Sequence, residues 1–249
     1  METTNDRMAW LKAGNAQCSH PPTGVARPAR LVLLGAPGVG KGTQAELLSE
    51  RLGACHLSTG DVFRAAKSNC NGNQSAALKQ ALDYMRQGQL VPDTTVLAMV
   101  KERTACLHCR GGFLLDGFPR TVAQAEALSE LLRSEGLALD GVVSYELPLE
   151  EVVARLSGRR TCSACKAVFH VSARPPVKEG ICDHCGGPLY QREDDRPESI
   201  RVRMEAYENS TAPLAHYYRR EGILFAIPAQ GSPEEIFART VVALQACLS

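Results

Sequence analysis

The segment GAPGVGKGT occupies residues 35–43 and follows the apolar run LVLL at residues 31–34. It matches the P-loop pattern GxxxxGK followed by Ser or Thr, except that one glycine stands between Lys41 and Thr43. Apolar spacing over residues 41–52, closed by a glycine, predicts a helix directly after the loop. A strand, a glycine loop and a helix N-terminus in this order present backbone N–H groups to a phosphate. We therefore expect a phosphate site; a tight glycine-rich turn with an exposed lysine is the alternative.

The composition sets limits on the class of protein. The 249 residues are 44% hydrophobic and 22% charged, which is typical of a globular enzyme with one substantial core. The net charge of +1 gives no electrostatic reason to expect nucleic acid or an anionic membrane as a partner. No apolar run approaches the ~20 residues that cross a bilayer. We expect a cytoplasmic monomer that binds small molecules, and neither nucleic acid nor membrane.

The N-terminal residues 1–29 lack the apolar segment of a secretory signal. A disordered tail is expected there, with an organelle-targeting segment as the alternative.

Beyond the tail, short apolar runs alternate with amphipathic stretches, which predicts an α/β fold with a parallel sheet between helical layers. The predicted strands are residues 31–34, 113–115, 142–147 and 223–227. Further helices are predicted at residues 121–135, at 149–156, from 198 with an interruption near 213, and from 233. The expected P-loop α/β/α core comprises residues 30–57, 92–157 and 196–249. Two inserts interrupt this core: a mostly helical one at residues 58–91, and one at residues 158–195 where the composition changes.

Four of the ten cysteines form two CxxC pairs in the second insert, Cys162 with Cys165 and Cys182 with Cys185. Sixteen residues separate the pairs, a spacing typical of a structural zinc site with four thiolates. Four thiolates leave no coordination position for a catalytic water, and disulfides are the alternative. The further element CLHC at residues 106–109 has no partner pair, and we expect ordinary reduced thiols there.

Four motifs together resemble the adenylate kinase family, in its long form with a zinc-bearing lid. They are GAPGVGKGTQAE, STGDVFR, FLLDGFPRT and GRRTCSAC, which begin at residues 35, 58, 113 and 158. The resemblance runs from about residue 31 to the last helix. It implies reversible transfer of the terminal phosphoryl group of MgATP to AMP, giving two ADP. Residues 58–91 would be the AMP-binding insert, and residues 158–195 the lid with its zinc.

The resemblance also implies the site residues, one motif position at a time. For ATP they are Gly38, Val39, Gly40, Lys41, Gly42, Thr43, Arg155, Arg159, Val168, Phe169 and Ser232. For AMP they are Thr59, Arg64, Gln89, Leu90, Val91, Gly117, Phe118, Pro119, Arg120, Gln124, Arg192 and Arg203. For the transfer itself they are Lys41, Arg120, Arg159, Arg192, Arg203 and Asp116. In this set Asp116 would orient Mg²⁺, and the nearby Asp194 and Asp195 would help to fasten the closed lid.

Residue chemistry supports an anionic acceptor. Arg64 and Arg120 offer planar guanidinium groups suited to bidentate contact with a phosphate. An acceptor phosphate, with a second pKa of ~6, is already ionised at neutral pH and needs no general base. For each arginine alone, a solvated helix face is the alternative, and for Asp116 a turn cap.

Two other functions remain to be distinguished. One is a nucleoside monophosphate kinase with a different acceptor base, against which Gln124 weighs because its amide suits an adenine edge. The other is a zinc ribbon that binds nucleic acid and senses ATP. An aromatic content of 5% disfavours that second possibility.

Overall fold

A five-stranded parallel sheet forms the centre of the molecule. The computed structural model describes residues 27–60, 62, 63, 76–86, 91–102 and 104–248. The strands of the sheet are β1 (Ala29–Gly35), β2 (Cys55–Ser58), β3 (Gly112–Asp116), β4 (Gly141–Glu146) and β8 (Leu224–Pro228). They lie in the order β2-β3-β1-β4-β8, and every neighbouring pair is parallel. The predicted parallel sheet is confirmed, and the P-loop follows its central strand at the carboxyl edge, where such sheets bind ligands.

The strand β2 was missed by sequence reasoning. Its four residues, CHLS, are all buried, so they show no alternation of apolar and polar positions. Pairing with β3 extends it, in a register that sets Ser58 opposite Asp116. The neighbouring strand, rather than a local pattern, therefore defines this edge of the sheet.

Helices cover both faces of the sheet. They are α1 (Lys41–Leu52), α2 (Ala76–Arg86), α3 (Asp93–Lys101), α4 (Thr104–Leu107), α5 (Val122–Ser134), α6 (Leu149–Ser157), α7 (Pro197–Ala206), α8 (Pro213–Arg220) and α9 (Pro233–Leu248). A π-helical turn at Tyr207–Thr211 joins α7 to α8, where the interruption near residue 213 was predicted. Among these helices, none in the described part of the chain is long and apolar enough to cross a lipid bilayer.

The core has two apolar layers because side chains alternate along each strand. From β1, Val32 and Leu34 pack into the layer that contains α5 and α8. Leu31 and Leu33 pack into the opposite layer, which contains α1, α6 and α9. The predicted α/β/α arrangement follows directly from this alternation.

The helix after the P-loop has the predicted bounds. Gly40, with φ 99°, precedes α1, and Gly53, with φ 64°, ends it. Both angles lie in the left-handed region that favours glycine. Two glycines thus fix where the helix begins and ends, and with it the orientation of the loop.

The cysteine insert, residues 158–195, forms its own small sheet. Its strands β5 (Arg159–Cys162), β6 (Val168–His170) and β7 (Leu189–Tyr190) pair antiparallel in the order β6-β5-β7. A 3-10 turn at Glu193–Asp195 completes the insert. Its buried apolar cluster consists of Cys162, Phe169 and Cys182. So small a core does not stabilise a module by apolar burial alone.

Candidate active site

The P-loop between β1 and α1 is held in shape by its own backbone. Lys41 Nζ donates hydrogen bonds to the carbonyl oxygens of Gly35, at 2.6 Å, and Ala36, at 2.9 Å. Gly38 has φ 87°, and a Cβ at this position would lie 2.6 Å from Leu156 Cγ on α6. The loop therefore packs against α6 at a point that only glycine fits.

The charge of Lys41 depends on its surroundings. Burial lowers the pKa of its ammonium group to about 8, and Asp116 opposes that lowering. The positive charges of Arg120, Arg203 and Arg159 lower the pKa further. Residues from four separate segments therefore act on one another at the carboxyl edge of the sheet. Crowded cations around one carboxylate in a desolvated site are suited to a highly charged anion.

Asp116 ends β3 beside a histidine that sequence reasoning did not single out. His56, on β2, is 6% exposed, and its Nε2 lies 3.5 Å from Asp116 Oδ2. Within the described residues this Nε2 makes no hydrogen bond. A buried polar atom in that state needs a partner in the working protein. The position could be found only through β2, which the sequence did not predict.

Two arginines of the expected transfer set contact the 3-10 turn. Arg159 donates from Nε and Nη2 to the two carboxylate oxygens of Asp195, at 2.8 and 2.5 Å. Arg203 Nη1 donates to the carbonyl oxygen of Asp194 at 2.7 Å and lies 3.5 Å from Asp195 Oδ1. Asp195 is fully buried. The two aspartates therefore orient these arginines, a contact that the sequence did not reveal.

Two more arginines expected at the nucleotides, Arg192 and Arg155, contact neighbouring segments of the chain. Arg192 Nε donates to Thr161 Oγ1 at 2.8 Å. Arg155 donates to the carbonyl oxygens of Val39, at 3.3 Å, and Ala229, at 2.8 Å. Arg155 thereby ties the P-loop to the loop after β8.

Three further residues expected at ATP differ in their exposure to solvent. Phe169 is 2% exposed as a whole residue and packs inside the cysteine insert, so its ring is closed off from a nucleotide in this structure. Val168, beside it on β6, is half-buried. Ser232 is exposed, and its N–H donates to Glu235 Oε2 at 2.8 Å.

The acceptor motif forms a connected set of hydrogen bonds. Gly117 O accepts from Thr59 Oγ1 at 3.0 Å and from Arg120 Nε at 2.8 Å. Gln124 Oε1 accepts from the Arg120 N–H at 2.7 Å, and Gln124 Nε2 donates to Asp93 Oδ1 at 2.5 Å. Asp93, which the sequence did not single out, thus fixes the amide of Gln124.

The remaining acceptor residues divide into two groups. Phe118 and Pro119 are buried, and Val91 is partly buried. Arg64, Gln89 and Leu90 lie outside the described residues, as do residues 1–26 of the predicted tail.

The four cysteines of the insert come together as a possible metal site. Their sulfur atoms lie within 4.8 Å of one another, and the Cys162–Cys185 and Cys165–Cys182 Sγ pairs are 3.5 Å apart. Zinc–sulfur bonds of about 2.3 Å in a tetrahedron separate sulfurs by about 3.8 Å, so this geometry fits zinc. Burial acts to raise the pKa of the Cys162 thiol, but nearby N–H groups and thiols lower it to about 6. Burial raises the pKa of the neighbouring Cys165 thiol to about 12, so the four thiols do not ionise equally easily, and Cys162 is the one suited to bind a cation first.

A parallel sheet with a P-loop at its central strand, faced by clustered arginines, defines a P-loop phosphotransferase. The chain belongs to the adenylate kinase family, whose family model, described as "Adenylate kinase", matches residues 33–223. The chain is similar to the adenylate kinase of Carboxydothermus hydrogenoformans, at 50% identity over 216 residues, which is 87% of this chain and 99% of that protein. The adenylate kinases of Caldicellulosiruptor saccharolyticus and Streptomyces coelicolor are both 51% identical over 217 residues, covering 87% of this chain and 98% of each relative.

Proposed function

We propose that this protein catalyses the reversible transfer of the terminal phosphoryl group of MgATP to AMP, giving two ADP. One observation carries the proposal for this chain. The charges of Arg120, Arg159 and Arg203, from the acceptor motif, the cysteine insert and α7, all act on the P-loop residue Lys41. A site assembled in this way can neutralise the phosphates of two nucleotides at once.

ATP is proposed to bind with its phosphates along the P-loop. The glycines leave backbone N–H groups accessible, and α1 adds the partial positive charge of its N-terminus. Lys41 supplies a point charge to the outer phosphates, where it is already held by Gly35 and Ala36. Arg155 is proposed to stack on the adenine of ATP, from its anchored position between Val39 and Ala229.

AMP is proposed to bind at the acceptor motif. The hydrogen bond from Arg120 Nε to Gly117 fixes the guanidinium plane, which suits phosphate oxygens. Gln124 is proposed to meet the adenine edge, with its amide held by Asp93. Arg64, Gln89 and Leu90 belong to this proposal through their motif positions.

Transfer requires no general base in this proposal. The acceptor oxygen belongs to an ionised phosphate, so no proton has to be removed. The carboxylates of Asp194 and Asp195 contact Arg203 and Arg159, where they orient cations. The chain's own contribution is therefore alignment and neutralisation of phosphate charge. Bound Mg²⁺ would add charge neutralisation, and Asp116 would orient its water ligands.

We further propose that residues 58–91 form the AMP-binding insert and residues 158–195 a lid, and that closure excludes water from the transferring group. The four cysteines would hold a structural zinc ion that replaces a hydrophobic core. A cytoplasmic location is proposed as well, because clustered CxxC pairs serve as metal ligands in a reducing compartment. A monomer is proposed and can be checked by light scattering.

The test is ADP formation from ATP with AMP, GMP, CMP or UMP as acceptor. We expect AMP to be strongly preferred and Lys41→Ala to lose about 10²–10³-fold in kcat. Exposed Lys101 provides the control, since Lys101→Ala removes the same charge at the end of α3. If another nucleotide were phosphorylated at a comparable rate, AMP would not be the specific acceptor that we propose. Full activity of Lys41→Ala would refute it.

A further inference from the structure

A groove lies at the edge of the sheet opposite the nucleotide site. It has a volume of about 290 Å³ and is lined by residues of α5, α8 and the segments that precede β4 and β8. Leu139 precedes the first residue of β4, and Ile223 precedes the first residue of β8. The P-loop, in contrast, follows the last residue of β1. Because all five strands are parallel, the groove and the P-loop lie at opposite edges.

The walls of the groove are largely apolar and incompletely covered. Leu137, Leu139, Tyr217 and Ile223 line it and are only partly buried. Tyr218, which also lines it, is 1% exposed, and its hydroxyl has no hydrogen-bond partner within the described residues. A buried hydroxyl without a partner is costly. An occupant that carries apolar side chains and a polar backbone group would correct both features.

The described chain begins beside this groove. Arg27 Nη2 donates to Asp140 Oδ1 at 2.5 Å, and the Arg30 N–H donates to Asp140 Oδ2 at 2.8 Å. Asp140 is the residue after Leu139, a groove residue. The N-terminal residues are therefore tethered within a few residues' length of the groove.

We propose that residues 8–11, MAWL, dock into this groove of their own chain. They form the densest apolar cluster of residues 1–26 and contain Trp10, the only tryptophan of the protein. A buried tryptophan covers about 150–250 Å² of apolar surface and keeps one N–H to donate.

The segment between Leu11 and Arg27 tethers the docking residues to the groove and is long enough to reach it. Because the tether keeps them close, even a weak interaction fills the groove. Sixteen residue steps separate Leu11 from Arg27. A coil of that length spans about 20 Å on average, and about 50 Å when fully extended. A short tether gives an effective concentration of about 1 mM, so an affinity of that order already fills the groove about half of the time. This proposal is independent of the proposed function.

The unique tryptophan makes the proposal measurable in the full-length protein without a label. We expect Trp10 emission to lie at shorter wavelength than in the urea-unfolded chain and its quenching by acrylamide to be several-fold weaker. Ala138→Asp, at an exposed groove position, should move both quantities to the unfolded values. Leu11→Asp should do the same from the other side of the contact.

Val242→Asp is the matched control, because it places the same charge at an exposed apolar residue on α9, in the opposite layer. It should leave Trp10 emission unchanged, and circular dichroism melting should show all variants folded. Unfolded-like emission in the unmodified protein would overturn the proposal. So would an Ala138→Asp variant that keeps the blue-shifted emission. A shift that disappears on dilution would also overturn it, in favour of docking onto a second copy of the chain.

Discussion

Arg159 and Asp195 join the two ends of the cysteine insert through a two-pronged ion pair. Arg159 is the first residue of β5, and Asp195 is the last residue of the 3-10 turn. Nε and Nη2 of the arginine reach both carboxylate oxygens, at 2.8 and 2.5 Å. The pair sets where the insert leaves and rejoins the core, and it aims the guanidinium proposed to contact the transferring phosphate.

Asp195→Asn is expected to lower both stability and kcat. Loss of the buried carboxylate leaves Arg159 unpaired, which costs about 3 kcal/mol, the low end for buried pairs because the Arg159 side chain keeps 18% exposure. A misaligned arginine should lower kcat by about 10–100-fold. Thermal melting and steady-state kinetics measure the two effects. Glu193→Gln removes an equal charge from an exposed residue of the same turn and should change neither. Equal effects of the two variants would contradict the assigned role of Asp195.

The pH profile should report Lys41. Burial lowers the pKa of its ammonium to about 8, so in the free protein the group is charged below that pH and neutral above it. Because phosphate binding needs the charged form, kcat/KM for MgATP should fall about tenfold per pH unit above pH 8. The profile of kcat should extend to higher pH, since bound phosphates raise the lysine pKa.

Lys41→Arg tests this assignment, because a guanidinium stays charged throughout the range. Its kcat/KM should be lower but should lose the alkaline decline. A decline that persists in the variant belongs to another group. On the stability side, the unfolded chain keeps the lysine proton up to the ordinary pKa while the folded chain releases it near pH 8. The free energy of unfolding should therefore rise with pH between those values through this residue.

The metal prediction concerns Cys162. We expect one zinc ion per chain by inductively coupled plasma mass spectrometry, lost in Cys162→Ser together with much of the activity. Activity should fall with the zinc because the apolar core of the insert is small. The insert therefore needs metal–sulfur bonds, worth about 10 kcal/mol or more, to stay folded. Cys109→Ser, in the other CxxC element, should retain both the zinc and the activity. Zinc loss from both variants would show that residues 106–109 also bind metal.

His56 is expected to act by positioning Asp116. Its Nε2 is 3.5 Å from the carboxylate, so a small rotation makes a hydrogen bond. His56→Leu should raise the Mg²⁺ concentration for half-maximal rate and lower kcat about tenfold, while KM for AMP stays unchanged. His56→Gln keeps an N–H donor and should restore most of the loss. If the leucine variant merely melts earlier with normal Mg²⁺ dependence, His56 has a packing role only.

Local rules predicted much of the fold. The bounds of α1 could be read from Gly40 and Gly53, and four of the five core strands from apolar runs. The exception, β2, has only four residues and owes its conformation to β3. No local pattern could reveal it.

The site, like the fold, has parts that the sequence predicted and parts that it did not. Motif spacing indicated which residues to consider, because glycine loops and paired cysteines carry their chemistry in sequence. The partners of those residues could not be inferred. Asp195 is 36 residues from Arg159, and Asp93 is 31 residues from Gln124, so only the folded chain brings each pair together.

The two parts of the molecule resist different stresses. Apolar layers stabilise the central sheet, and their driving force weakens on cooling. Among the described residues, the buried cluster of the cysteine insert shares no member with those layers, and two of its three residues are cysteines of the proposed zinc site. The cold limit of the molecule should therefore be set by its sheet, whereas chelators and oxidants of thiols should act first on the insert.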